Sequence, residues 1–140
     1  MVKVTKVESP DELHGLLTFS DNIQEERCFS CSRIEWVQWI VQQISNKNPK
    51  LGVWVLRDED LIFRGYVVAV DSVLPPVFSS VVIFYLYSPS SDCDKMLLKE
   101  VEQWAMLIGA DRIDIMTKMP DSFLGYGFTK TGYYSMIKIL

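Results

Sequence analysis

One histidine stands in the whole chain, His14. A Ser-His-Asp or Cys-His arrangement would have to be built around that residue alone, and no GxSxG motif accompanies it. P-loops and GxGxxG stretches are also missing, so the usual glycine-loop signs of nucleotide binding are absent. Basic charge is in deficit: 14 lysines and arginines stand against 18 aspartates and glutamates, a net charge of −4. That balance argues against a protein that grips nucleic acid, whose affinity comes mainly from cations neutralising phosphates. The longest apolar runs, such as Tyr66 to Val70 and Val81 to Tyr87, fall far short of the ~20 residues needed to cross a bilayer. The opening MVKVTKVESP carries charge but no apolar signal-peptide core. The expectation is a cytoplasmic protein with neither a membrane nor a nucleic acid as partner, its 140 residues (1-140) forming one domain.

Cysteine is scarce too. The three cysteines cannot all pair within the chain, and thiols are expected. Cys28 and Cys31 form a CxxC, to which a four-ligand zinc site would add Cys93 and His14. None of these spacings is that of a known finger, so no metal is expected and the pair reads as two small residues at a helix entrance.

What the chain does have is pattern. Val2 to Val7 alternates as a half-buried strand. Ser9-Pro10-Asp11-Glu12 starts a short helix with Leu13, Leu16 and Leu17 on its buried face, Gly15 inside it and an end near Phe19. Ser20 to Cys31 has no period and reads as a loop, in which Asp21, Glu25 and Glu26 form an acidic substrate-loop candidate for a cationic amine; the alternative is a solvated connection. Ser32 and Glu35 make a second capping box, followed by Ile34, Val37, Ile40, Val41 and Ile44 at helical spacing. That helix stops before Pro49, and Trp36 and Trp39 flank its apolar face. Leu51 to Leu56 and Leu61 to Val70 form a hairpin around the charged turn 57–60, with Gly65 marking a bulge or a close backbone approach. Val77 to Tyr87, almost free of charge, reads as a central strand covered on both faces.

After the break at Ser88-Pro89-Ser90-Ser91, Ser91 and Asp94 suggest a capping box. Leu97, Val101, Trp104, Ala105 and Ile108 then share one face of a helix closed by Gly109. Arg112 to Met116 alternates again, giving a parallel strand–helix–strand unit. Asp121 to Gly127 is a glycine-broken connection, and Gly132 to Leu140 a final alternating strand. The fold expected is α+β, in α/β/α layers. Its mixed central sheet has antiparallel strands 1-4 and a parallel strand 4/5 pair around the long helix 91-109.

This order, with the aromatic strand ending in Tyr87-Ser88-Pro89, the pattern LLKEVEQWAMLIGADRIDI and Gly127-Phe128 followed by Lys130-Thr131-Gly132-Tyr133-Tyr134, resembles the GNAT superfamily of acyl-CoA-dependent N-acyltransferases. The resemblance is good over Leu51 to Leu140 and rests on element order before it. It implies transfer of an acetyl or acyl group from acetyl-CoA or CoA thioesters to a small-molecule or protein amine. Leu86, Tyr87 and Ser88 would then lie beside the thioester, and Ser91, Lys95 and Met96 at the helix start would receive the pyrophosphate. The family's glycine-bearing phosphate loop is replaced here by Ser90-Ser91-Asp92-Cys93-Asp94-Lys95-Met96, without glycine and with two carboxylates. The family's acid tyrosine falls on Phe123, which leaves Tyr85 and Tyr126 as catalytic candidates. Two readings stay open: an atypical N-acyltransferase that binds CoA, and a non-catalytic binding or assembly module that has lost CoA and holds a protein partner.

Overall fold

The computed structural model describes residues 1–22, 31–74, 78–117, 119–132, 136 and 138–140. Five strands form one sheet in chain order: β1 (Lys3–Lys6), β2 (Leu51–Arg57), β3 (Phe63–Leu74), β4 (Phe78–Tyr87) and β5 (Arg112–Ile115). Strands β1 to β4 pair antiparallel, and β5 joins β4 in parallel, Ser80 opposite Arg112 through Ile83 opposite Ile115. This is the mixed sheet that the alternation of the sequence implies.

Period-2 alternation divides the strand side chains between two cores. Leu51, Val53, Val55, Tyr66 and Val68 point to one face, which a 3-10 turn (Pro10–Leu13), α1 (Leu16–Asn22) and α2 (Arg33–Ser45) cover. Trp54, Leu56, Val67, Ala69, Val81 and Ile83 point to the other, covered by α3 (Ser91–Leu107) through Leu97, Leu98, Val101, Trp104 and Ala105. Each fully buried aliphatic contributes on the order of 1.5–3 kcal/mol. The layers are therefore α/β/α, with α3 packed across the second face of the whole sheet.

Several boundaries differ from expectation. The first helix is two pieces, because Gly15 takes φ +88 and breaks the hydrogen-bonding frame between them. The second piece runs on to Asn22, inside the stretch read as a loop, whose residues 23–30 lie outside the described ones. In α2 the Ser32 hydroxyl accepts from the Glu35 N–H at 3.2 Å, as the capping box requires. Ile34 is exposed, however, and Trp36 takes its place in the core, donating its indole N–H to the Tyr66 hydroxyl at 3.1 Å. Ile108, expected on the buried face of α3, is the half-exposed residue that ends the helix before Gly109 turns at φ +76. The expected C-terminal strand falls partly on 133–135 and 137, outside the described residues; no described residue from 132 onward joins the sheet.

Gly65 fits both readings of it. The β2–β3 register shifts beside it, between Leu56–Gly65 and Arg57–Phe63. A Cβ on it would lie 2.3 Å from the Tyr87 carbonyl oxygen of β4.

Candidate functional site

The β3–β4 register carries a second irregularity: Val68 faces Tyr85, but Ala69 faces Ile83, so Phe84 is one residue extra in β4. An inserted residue exchanges the faces of everything after it. Before it, Val81 and Ile83 pack on the α3 side; after it, Tyr85 and Tyr87 pack on the α2 side and Leu86 on the α3 side. The parallel ladder with β5 ends at the same point, at Ile83 and Ile115. Beyond it the two strands wall a cavity of about 320 Å³, near the lower end of the usual range for ligand pockets. Ile83 to Ser88 form one wall, and Ile115, Met116, Thr117, Met119, Ser122 and Phe123 the other.

Asp94 closes one part of this cavity. The α3 N-cap is Ser90, not Ser91: its hydroxyl accepts the Cys93 N–H at 3.2 Å. With the cap one residue earlier, Asp94 falls one place beyond the position from which a capping-box side chain reaches back, at the end of the first turn. Its carboxylate accepts instead from the Ser88 hydroxyl at the end of β4, and at 3.0 Å from the Tyr126 hydroxyl that follows α4 (Asp121–Leu124). It is the one charged side chain among the described residues that line the cavity. Burial, then the hydrogen bond to Asp94 and the charges of Asp94 and Asp92, raise the Tyr126 phenol above its ordinary value. Tyr126 thus keeps its proton well past neutral pH.

Of the expected site residues, Leu86, Tyr87 and Ser88 line the cavity. Ser91 and Lys95 are exposed on the first turns of α3, and Met96 packs against the α3-side core. Tyr85 also lines the cavity, but its ring belongs to the buried aromatic group, 4.7 Å from that of Tyr66 and edge-on to Trp36. Phe123 stands in the cavity wall, with the Tyr126 ring 5.8 Å away, so a hydroxyl returns one helical turn after the phenyl. Asp21 lies at the end of α1, 3.9 Å from Arg33, while Glu25 and Glu26 fall outside the described residues. Among the described residues the cysteine–histidine set does not assemble. Cys31 packs on the α2 side of the sheet and Cys93 on the α3 side, His14 is exposed, and Cys28 is outside the described residues. Sequence reasoning missed the hydroxyl–carboxylate–hydroxyl link among Ser88, Asp94 and Tyr126, since no local spacing connects these positions.

No family model matches the sequence, and no curated protein sequence matches it. The fold has many solved counterparts. An aminoglycoside antibiotic 6'-N-acetyltransferase from Acinetobacter baumannii superposes with a TM-score of 0.77 at 12% identity, covering 100% of this chain and 99% of its own. A predicted acetyltransferase from Clostridium acetobutylicum, solved with acetyl-CoA, gives 0.74 at 14% identity over 99% and 96%. Glucosamine-6-phosphate N-acetyltransferase from Arabidopsis thaliana gives 0.71 at 12% identity over 99% and 98%. At these identities the likeness is one of fold, and the fold of this chain is that of the GNAT acetyltransferases.

Proposed function

We propose that this protein is an N-acyltransferase that takes an acyl thioester in the cleft between β4 and β5 and passes its acyl group to an amine. The observation that carries this reading is the Phe84 bulge, which ends the β4–β5 ladder and opens a cavity against strand backbone. The solved structures of like fold, one of them an acetyltransferase with acetyl-CoA, support an acyl-thioester donor. The thioester arm fits between the apolar walls and the hydroxyls of Ser88, Thr117 and Ser122. Phosphates do not fit the α3 end, where Ser90 already caps Cys93 and Asp92 and Asp94 supply negative charge.

In this reading the cleft contributes mainly position, holding amine nitrogen and acyl carbon within reach of one another. As the new bond forms and the carbon–sulfur bond breaks, the proton lost by the amine has to end on the departing thiol. Tyr126 is the better placed of the two tyrosines to serve that transfer: its hydroxyl stands beside the cavity on Asp94, whereas the Tyr85 ring is held within the aromatic core.

A second reading, a non-catalytic module that holds a protein partner, is favoured by one observation. Asp94 is already engaged by the hydroxyls of Ser88, in one wall, and of Tyr126, three residues after Phe123 of the other, and Phe123 has no proton to give.

Calorimetric titration and thermal melts with acetyl-CoA, CoA and pantetheine test the choice. The transferase reading expects binding of at least one of them, and a ligand at 100 times its dissociation constant should add ~2.7 kcal/mol, a rise of several degrees in melting temperature. A panel of primary amines should then release thiol from the acylated ligand. Absence of binding by all three at millimolar concentration leaves the module.

A further inference from the structure

We infer that the acyl donor is recognised through its pantetheine arm and not through its phosphates, so that Asp94 selects for thioesters presented without a nucleotide. This rests on the acyl-thioester reading above and specifies its substrate class. An acyl-CoA has two chemically distinct parts, a neutral pantetheine arm with amides and apolar carbons, and an anionic nucleotide. The cavity matches only the first. Its walls are Ile83, Phe84, Leu86, Ile115 and Met116, with hydroxyls at Ser88, Thr117 and Ser122. A volume of about 320 Å³ is of a size for an acylated arm.

The charge at the cavity points the same way. A helix start next to a cleft ordinarily attracts anions through its free N–H groups. In α3 one of these is taken by the Ser90 hydroxyl, and the first residues bring in Asp92 and Asp94. Asp94 cannot swing clear without giving up the hydroxyls of both Ser88 and Tyr126, so its charge stays at the cavity. A phosphate held near 4 Å from that carboxylate would lose about fivefold in affinity in water, and far more at the lower effective dielectric of a cleft. Lys95, which directly follows Asp94, is exposed and does not line the cavity.

The test compares pantetheine, 4'-phosphopantetheine and CoA by calorimetric titration against the wild type and Asp94→Asn. Pantetheine is expected to bind the wild type at least as tightly as CoA, with 4'-phosphopantetheine between them. The Asp94→Asn change should move the CoA-to-pantetheine affinity ratio towards CoA by at least about fivefold. Should that variant not fold, the wild type still decides. At about 1 M salt, where the screening length falls to about 3 Å, the CoA affinity should rise relative to that of pantetheine. CoA binding tenfold or more tightly than pantetheine, or a ratio unmoved by both the variant and salt, overturns the inference and leaves the transferase reading standing. If none of the three binds, both fall.

Discussion

At Gly65 the backbone of β3 comes so close to β4 that any side chain would collide with the Tyr87 carbonyl oxygen and the Ser88 Cα. Both neighbours are backbone, which cannot rotate away, and both belong to cavity-lining residues. Gly65→Ala should therefore cost about 1–3 kcal/mol in urea denaturation and weaken ligand binding. An unchanged urea midpoint would mean that this approach does not set the spacing of the two strands. Tyr126 gives a prediction in pH. Its phenol is raised above the unfolded value of about 10, so the folded state holds the proton more tightly than the unfolded chain does. The stability that this contributes is fully present below about pH 10 and is lost as pH rises through the folded value. The melting-temperature advantage of the wild type over Tyr126→Phe should be constant between about pH 7 and 9 and shrink above about 10; an advantage independent of pH up to 12 would remove the Asp94 link as its cause.

The extra residue in β4 does at the scale of an element what Gly65 does at one position. Alternation in the sequence reads correctly for Val81 and Ile83, and a strict period-2 extension would put Tyr85 with them on the α3 side. The structure has Tyr85 on the other side, because Phe84 is spent in the bulge. No propensity marks such a position: Ile83, Phe84 and Tyr85 are all good strand formers. The element, its central place and its parallel partner were thus legible, while the feature that opens the cleft was not. The same limit explains the cap of α3, where two adjacent serines compete and backbone geometry chooses Ser90. Deleting Phe84 should restore regular pairing, turn Tyr85 towards α3 and Leu86 towards α2, and cost more than about 3 kcal/mol through misplaced core side chains. Phe84→Ala keeps the residue count and should stay within about 1 kcal/mol, since that ring is 43% exposed. If the two variants melt alike, the count of residues does not decide the faces.

Across the whole molecule the cleft depends on β4 and β5 being fastened at one end and separated at the other. The layer order that secures this was readable from two amphipathic helices of opposite assignment and from a strand–helix–strand unit of ordinary length. The fastening was not, because it joins residues more than thirty positions apart. The Ser80 hydroxyl donates to Asp114, the Arg112 Nε donates to the same carboxylate at 2.9 Å, and Ser79 and Asp111 exchange backbone and carboxylate hydrogen bonds. Ser80 is 2% exposed, so removing its acceptor leaves a hydroxyl without solvent to turn to. Asp114→Ala should cost about 1–3 kcal/mol for that reason. Strand β5 is four residues long and pairs with β4 alone among the described strands, so the loss should be local. Amide hydrogen exchange should quicken in Arg112–Ile115 and Ser80–Ile83 while β2 and β3 keep their protection. A uniform loss over all five strands would instead make the sheet one cooperative unit, with the opening between β4 and β5 set by the bulge alone.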